Sequence, residues 1–320
     1  MAWTRTTAAL LCGLLLGASL VHADAEREES PEEKGSATKS SQPVPLNPEK
    51  SVLLDLENKR LLLKTRVALR EGVLEMLLCK AQTKEHESIL AIETQAYVIH
   101  AGLMALGAKP GSPARFREGF EPPTGQEIEL YVSWTDELNK PHRVRAQTWV
   151  RHLTRRYFEH PLEKLPEGVI TEKDDDLRYD ETNKYLLWFG PLSEEQRDAL
   201  LDRSDDQDYQ TAIQSIFEQS QPREMEADWV FAGSGFSKQK DGSEWYQAEA
   251  GNLICVANFG DAMLDVAMES SSSASQLLFE PYTERIPPLG TPITLELIPV
   301  FEEEEPDESN EESDPNGDSD

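Results

Sequence analysis

Little in this chain belongs to a chemistry that can be named from sequence. Only three of its 320 residues are cysteine, and Cys12 lies in the apolar N-terminal stretch, so Cys79 and Cys255 leave room for one bridge at most. After that first stretch, no apolar run approaches the roughly 20 residues a membrane-spanning helix needs. Positive charge is scarce, with 31 Lys and Arg against 60 Asp and Glu. That balance excludes a phosphate-backbone binder, which needs a basic face, and argues against nucleic acid as a partner. No Gly-rich phosphate loop or dinucleotide fingerprint is present. Gly233-Ser234-Gly235 lacks the Gly-x-Ser-x-Gly elbow of the hydrolases and reads as a tight turn. Asp174-Asp175-Asp176 and Asp205-Asp206 lack the alternating ligand pattern of an EF-hand and read as solvated loops.

The N-terminus gives the expected compartment. Arg5 precedes an apolar core from Ala8 to Val21 that ends in Val21-His22-Ala23, the pattern of a secretory signal peptide cleaved near Ala23. Leu11 stands before Cys12 where lipidation requires a small residue, so export as a soluble periplasmic or extracellular protein is expected. In such a compartment Cys79 and Cys255 either form one disulfide or remain two buried thiols, and the residues leave both readings open.

Composition then divides the chain. Residues 24–50 carry Asp, Glu, Ser, Lys and Pro with almost no large apolar side chains, a flexible linker. Residues 302–320 hold eleven acidic residues and no Lys or Arg, a self-repelling, solvating tail. Between them, runs at 52–56, 61–67 and 73–79 read as strands in hairpins. The period changes to about 3.6 for a helix from about Gln95 to Leu106, capped by Gly107 and stopped by Pro110-Gly111. Alternation at 127–134 and the turn Asn139-Lys140-Pro141 predict another hairpin. From 153 to 225 the sequence is charged and locally helical, with a capping box at Ser193-Glu194-Glu195-Gln196 and a second helix expected at 209–218. Strands resume at Trp229, Trp245, Asn252 and Thr294. The expectation is an α+β fold: a predominantly antiparallel β domain built from 51–152 and 226–301, with one packed helix and a helical insertion at 153–225.

The densest chemistry lies between Cys79 and Gly111. Glu85, His86 and Glu87, joined by His100 from the following helix, offer imidazole and carboxylate donors for a divalent metal. Three such ligands with an open position would suit catalytic zinc. His100 also lies one residue from Ile99 and three from Leu103, where a core histidine bonded to a neighbour is the plainer reading. Cys79 beside His86 would supply a nucleophile only if reduced. Of the six tryptophans, most have apolar neighbours and read as core.

Three places carry a family resemblance: Leu78-Cys79 with Thr83-Lys84-Glu85-His86-Glu87-Ser88; His100-Ala101 with Leu106-Gly107-Ala108-Lys109-Pro110-Gly111; and Trp229-Val230-Phe231-Ala232-Gly233-Ser234 with Ile286-Pro287-Pro288-Leu289-Gly290-Thr291-Pro292. Through them the chain resembles the YdjY-domain proteins, exported bacterial proteins without an established activity. The resemblance supplies no catalytic residues. Two functions are expected to compete. One is a non-catalytic binding or interaction module meeting an envelope protein or small ligand; the other is a metal-binding or redox site around Glu85, His86 and His100.

Overall fold

A computed structural model of the chain describes residues 42–117, 119–171, 176–269 and 278–301. The expected signal peptide, the acidic tail, Cys12 and Asp174-Asp175 lie outside the described residues. In the N-terminal half the strands are β1 (Val44–Pro45), β2 (Val52–Asp55), β3 (Arg60–Val67), β4 (Met76–Lys80), β5 (Ser88–Ile92), β6 (Pro110–Ser112), β7 (Thr124–Gly125), β8 (Glu127–Thr135), β9 (Pro141–Arg145) and β10 (Val150–His152). Three more, β11 (Tyr157–Pro161), β12 (Leu177–Asp180) and β13 (Tyr185–Phe189), precede the last two helices. The chain then returns with β14 (Trp229–Val230), β15 (Phe236–Lys238), β16 (Glu244–Tyr246), β17 (Asn252–Cys255), β18 (Asp265–Val266), β19 (Phe279–Pro281) and β20 (Pro292–Pro299). The helices are α1 (Ala96–Ala105), α2 (Glu194–Leu201) and α3 (Gln207–Ser220).

Eleven strands form one sheet along the path β17-β4-β5-β3-β20-β8-β14-β18, with β1, β2 and β9 at its margins. Its two ends meet, because the Cys255 amide donates to the Leu264 carbonyl at 3.0 Å and the Leu264 amide to the Leu253 carbonyl at 2.9 Å. The sheet is therefore nearly closed and barrel-like. Alternation drives this: Leu61, Leu63 and Val67 of β3, Ile128, Leu130 and Val132 of β8, and Ile293, Leu295 and Leu297 of β20 all turn into one core. α1 lays Ala96, Ile99 and Leu103 onto it. Gly102 is where the helix comes closest, since a Cβ there would stand 2.6 Å from Leu61 Cδ1.

The β2–β3 and β8–β9 hairpins form as expected, the second turning at Asn139 with φ 60°. The run at 73–79 does not extend a hairpin. Its ordered part, β4, pairs in parallel with β5, Leu78 opposite Leu90, while β3 pairs with β5 and β20. Both strands are covered on both faces, which is why each reads as a continuous apolar run and not as an alternation. The linker also ends earlier than composition suggests. Val44–Pro45 pairs with Leu53–Leu54, and Asn47 accepts the Ser51 and Val52 amides at 3.0 and 3.1 Å.

The insertion differs more. The capping box opens α2 as the sequence predicts, and Asp206, expected in a solvated loop, caps α3, which starts two residues earlier than expected; a three-stranded antiparallel meander, β11-β13-β12, comes first. Strands and helices share a core of their own, including Phe158, Leu186, Trp188, Tyr209, Ile213 and Ile216. It is a small α+β subdomain. Sequence reading underrated its strands because the charged residues between them mask the short alternating runs.

Candidate functional site

The loop between β4 and β5 turns back through Glu85–Glu87, and its charges pair with one another and with neighbouring strands. Glu85 Oε1 accepts the Gln82 amide at 2.9 Å and an Arg66 Nη2 hydrogen bond at 2.8 Å. The Gln82 amide, with help from Arg66, holds this carboxyl below the usual range although burial opposes them. Lys84 Nζ stands 3.3 Å from Glu87 and 3.9 Å from Glu75, and 4.9 Å over the Phe259 ring. Burial and then Glu87 push the Glu75 carboxyl up, opposed by Lys84. His86 is 76% exposed, its Nε2 3.6 Å from Glu87. His100 is bound elsewhere, on α1. Among the described residues no group of three or more His, Cys, Asp or Glu is arranged to hold a metal ion. The set Glu85, His86, Glu87 and His100 is thus not assembled: Glu85 is taken up by Arg66, Glu87 by Lys84, and His100 by a tyrosine.

Cys79 and Cys255 are free, buried thiols on the paired strands β4 and β17. The register explains why they are not bonded. Cys79 faces Asn252, whereas Cys255 faces Met76, three residues earlier on β4. That offset is roughly 10 Å of strand, beyond the roughly 7 Å between Cα atoms that a disulfide spans. Burial pushes both thiols up, so neither is an activated nucleophile.

The best-defined polar arrangement surrounds His100. Ile99 and Leu103 face the core, and His100 flanks them, half-buried against Phe231 with ring centroids 4.8 Å apart. Its Nδ1 lies 2.9 Å from the Tyr246 hydroxyl, which donates to the Gly233 carbonyl at 3.1 Å. A carbonyl only accepts, so the tyrosine's one proton is committed there and the histidine must donate from Nδ1. Nε2 then carries a lone pair, and no group among the described residues bonds it. Burial lowers the pKa of this imidazole, favouring the neutral form. Gly233 has φ 82°, and a Cβ there would meet Pro110 Cβ at 2.7 Å, so this turn needs glycine. Ser234 Oγ donates to the Asp261 carbonyl at 2.7 Å, which makes it a turn fastener.

Around this relay lie exposed aromatics. Tyr97, one turn before His100 on α1, is 54% exposed, and Phe236, 63% exposed, packs on Tyr246 at 5.1 Å. Tyr246 escapes sequence reading. The alternation around it marks a strand, but nothing marks its partner 146 residues earlier.

Fold and site together define a β-barrel-like α+β domain bearing an inserted subdomain and a neutral, oriented histidine at an aromatic surface. The family model of the YdjY domain matches residues 52–159. The match takes in the β4–β5 loop, His100 and the glycine turn after α1, and runs into the first strand of the insertion. No curated protein and no solved structure matches the chain. No helix among the described residues is long and apolar enough to cross a membrane.

Proposed function

We propose that this protein is an exported, non-catalytic binding module of the cell envelope, and that it recognises its partner through the surface around His100. The observation that carries this reading is the His100–Tyr246–Gly233 relay. It fixes the tautomer of a half-buried imidazole and leaves Nε2 as a hydrogen-bond acceptor that no described group occupies, with exposed Tyr97 one turn earlier on α1 and exposed Phe236 packed on Tyr246. Such a pairing of rigid aromatic rims with one oriented polar atom suits recognition. The nucleophiles that an enzyme would need beside it are engaged elsewhere. Cys79 and Cys255 are buried thiols, and Ser234 is bonded to a backbone carbonyl. Export is inferred from Arg5 and the apolar run from Ala8 to Val21.

The test uses the full chain in its own cells, with a photo-crosslinking amino acid at Phe236 and, as control, at Leu138, which is 88% exposed on the β8–β9 turn. A defined envelope adduct from position 236, absent from 138 and lost on His100→Ala, is the expected result. Equal adducts from both positions, or an adduct indifferent to His100→Ala, would remove this surface as the recognition site.

A further inference from the structure

The insertion leaves and re-enters the barrel through two neighbouring segments, Leu153–Arg156 and Gln221–Arg223. The His152 amide donates to the Arg223 carbonyl at 2.8 Å, which holds the two crossings together. With the last turn of α3 they wall a cleft of about 410 Å³, within the range of small-molecule sites, at a junction between two separate cores. Arg155 and Arg223 line this cleft, and Arg156 lines the groove beside it. None of these three guanidinium groups has an ion pair or side-chain hydrogen bond among the described residues.

That is unusual in this chain. With 60 acidic residues to 31 basic ones, partners are plentiful, and Arg60, Arg66, Arg143, Arg145, Arg151 and Arg285 each take a carboxylate. The arginines are not needed to finish α3 either, because Gln221 Nε2 donates to the Leu192 and Phe217 carbonyls at 3.0 Å. Glu218 is the one carboxylate lining the cleft, and it accepts from Gln214 Nε2 at 2.8 Å. Burial first, and then Arg223, lower the pKa of His152, while Glu226 opposes them.

We propose that this cleft binds a small molecule bearing two or more carboxylate or phosphate groups, gripped by Arg155 and Arg223 between barrel and insertion. Guanidinium forks match both groups in bidentate geometry, and the junction lets one ligand touch both cores. The proposal is independent of the surface around His100.

The experiment follows the His152 imidazole by NMR in the full chain, with citrate in one arm and pyrophosphate in the other at constant ionic strength. His142, paired with Asp136 at 2.8 Å, serves as internal control. The expected result is a saturable shift at His152 alone and a rise in its pKa, as the anion offsets Arg223. Arg155→Ala and Arg223→Ala should each weaken binding about tenfold or more. Both side chains are exposed, so these variants keep the fold, and Arg223→Gln serves as a second check. The arm that saturates at lower concentration tells carboxylate from phosphate. A shift linear in concentration and equal at His142, or affinities unchanged in both arginine variants, would overturn the proposal.

Discussion

Glu296 sits in the middle of β20 on the outer face of the sheet, yet its side chain is only 5% exposed. Its Oε1 accepts from Ser133 Oγ and Arg143 Nε, both at 2.9 Å, and its Oε2 from Arg60 Nη1 at 2.9 Å and Arg143 Nη2 at 3.1 Å. Arg60 also reaches Asp55 at 2.9 Å, and Arg143 lies 3.8 Å over the Tyr131 ring, so one carboxylate ties β2, β3, β8, β9 and β20 together. Glu296→Ala removes all four hydrogen bonds. Stranding a fully buried charge costs about 3–5 kcal/mol, but Arg60 and Arg143 are 30% and 46% exposed and regain water. The expected loss is therefore about 2–3 kcal/mol, or about 4–12 °C in melting temperature for a domain of this size. The pH dependence gives a second readout. Burial alone would raise this carboxyl, but the donors from Arg143, Ser133 and Arg60 outweigh it and hold the pKa below its ordinary value of 4.5. A carboxyl depressed in the folded state contributes stability above its unfolded pKa and loses it as pH falls through the folded one. Urea unfolding of wild type and variant should therefore differ most near neutral pH and converge in acid below about pH 4.5. A loss under about 1 kcal/mol, or a difference that stays constant into acid, would mean that the Glu296 carboxylate does not hold these strands together.

Asp265 should behave in the opposite way. Burial pushes its carboxyl up to about 7 despite donors from the Phe259 and Val266 amides and Asn258. The unfolded group ionises near 3.8 and the folded one near 7, so stability falls as pH rises between them and levels off above. Urea midpoints of Asp265→Asn measured across that window should lack this slope, and an unchanged slope would assign it to another group. For the thiols, protein exported into an oxidising compartment and unfolded without reductant should titrate at both Cys79 and Cys255, neither reacting while folded; a missing pair would mean that β4 and β17 shift register. Excising residues 157–220 and joining Arg156 to Gln221 through a short Gly-Ser linker should leave a cooperatively unfolding barrel with a smaller urea m-value. Loss of any cooperative transition would make the insertion part of the barrel's stability.

Much of the fold is legible in local pattern. The β2–β3 turn, the β8–β9 hairpin at Asn139, the Gly107 stop of α1 and the Ser193 capping box each depend on residues within a few positions of one another. The site is legible only in part. His100 stands out as a histidine on a helix beside Ile99, but Tyr246 and Gly233 join it from far along the chain. Glu85, His86 and Glu87 look like a ligand set because they are adjacent, whereas Glu85 is taken by Arg66 from β3 and Glu87 by Lys84 of the same loop, which also faces Glu75 before β4.

Charge balance and the type of most local elements are readable from the residues alone, because each depends on composition or on spacing within one element. It took the folded chain to show that β4 and β5 run parallel, that Cys79 and Cys255 lie out of register, and that His100 is held by Tyr246. These are matters of pairing across the sheet, and a strand's apolar pattern says which faces are buried without saying which strand will lie beside it.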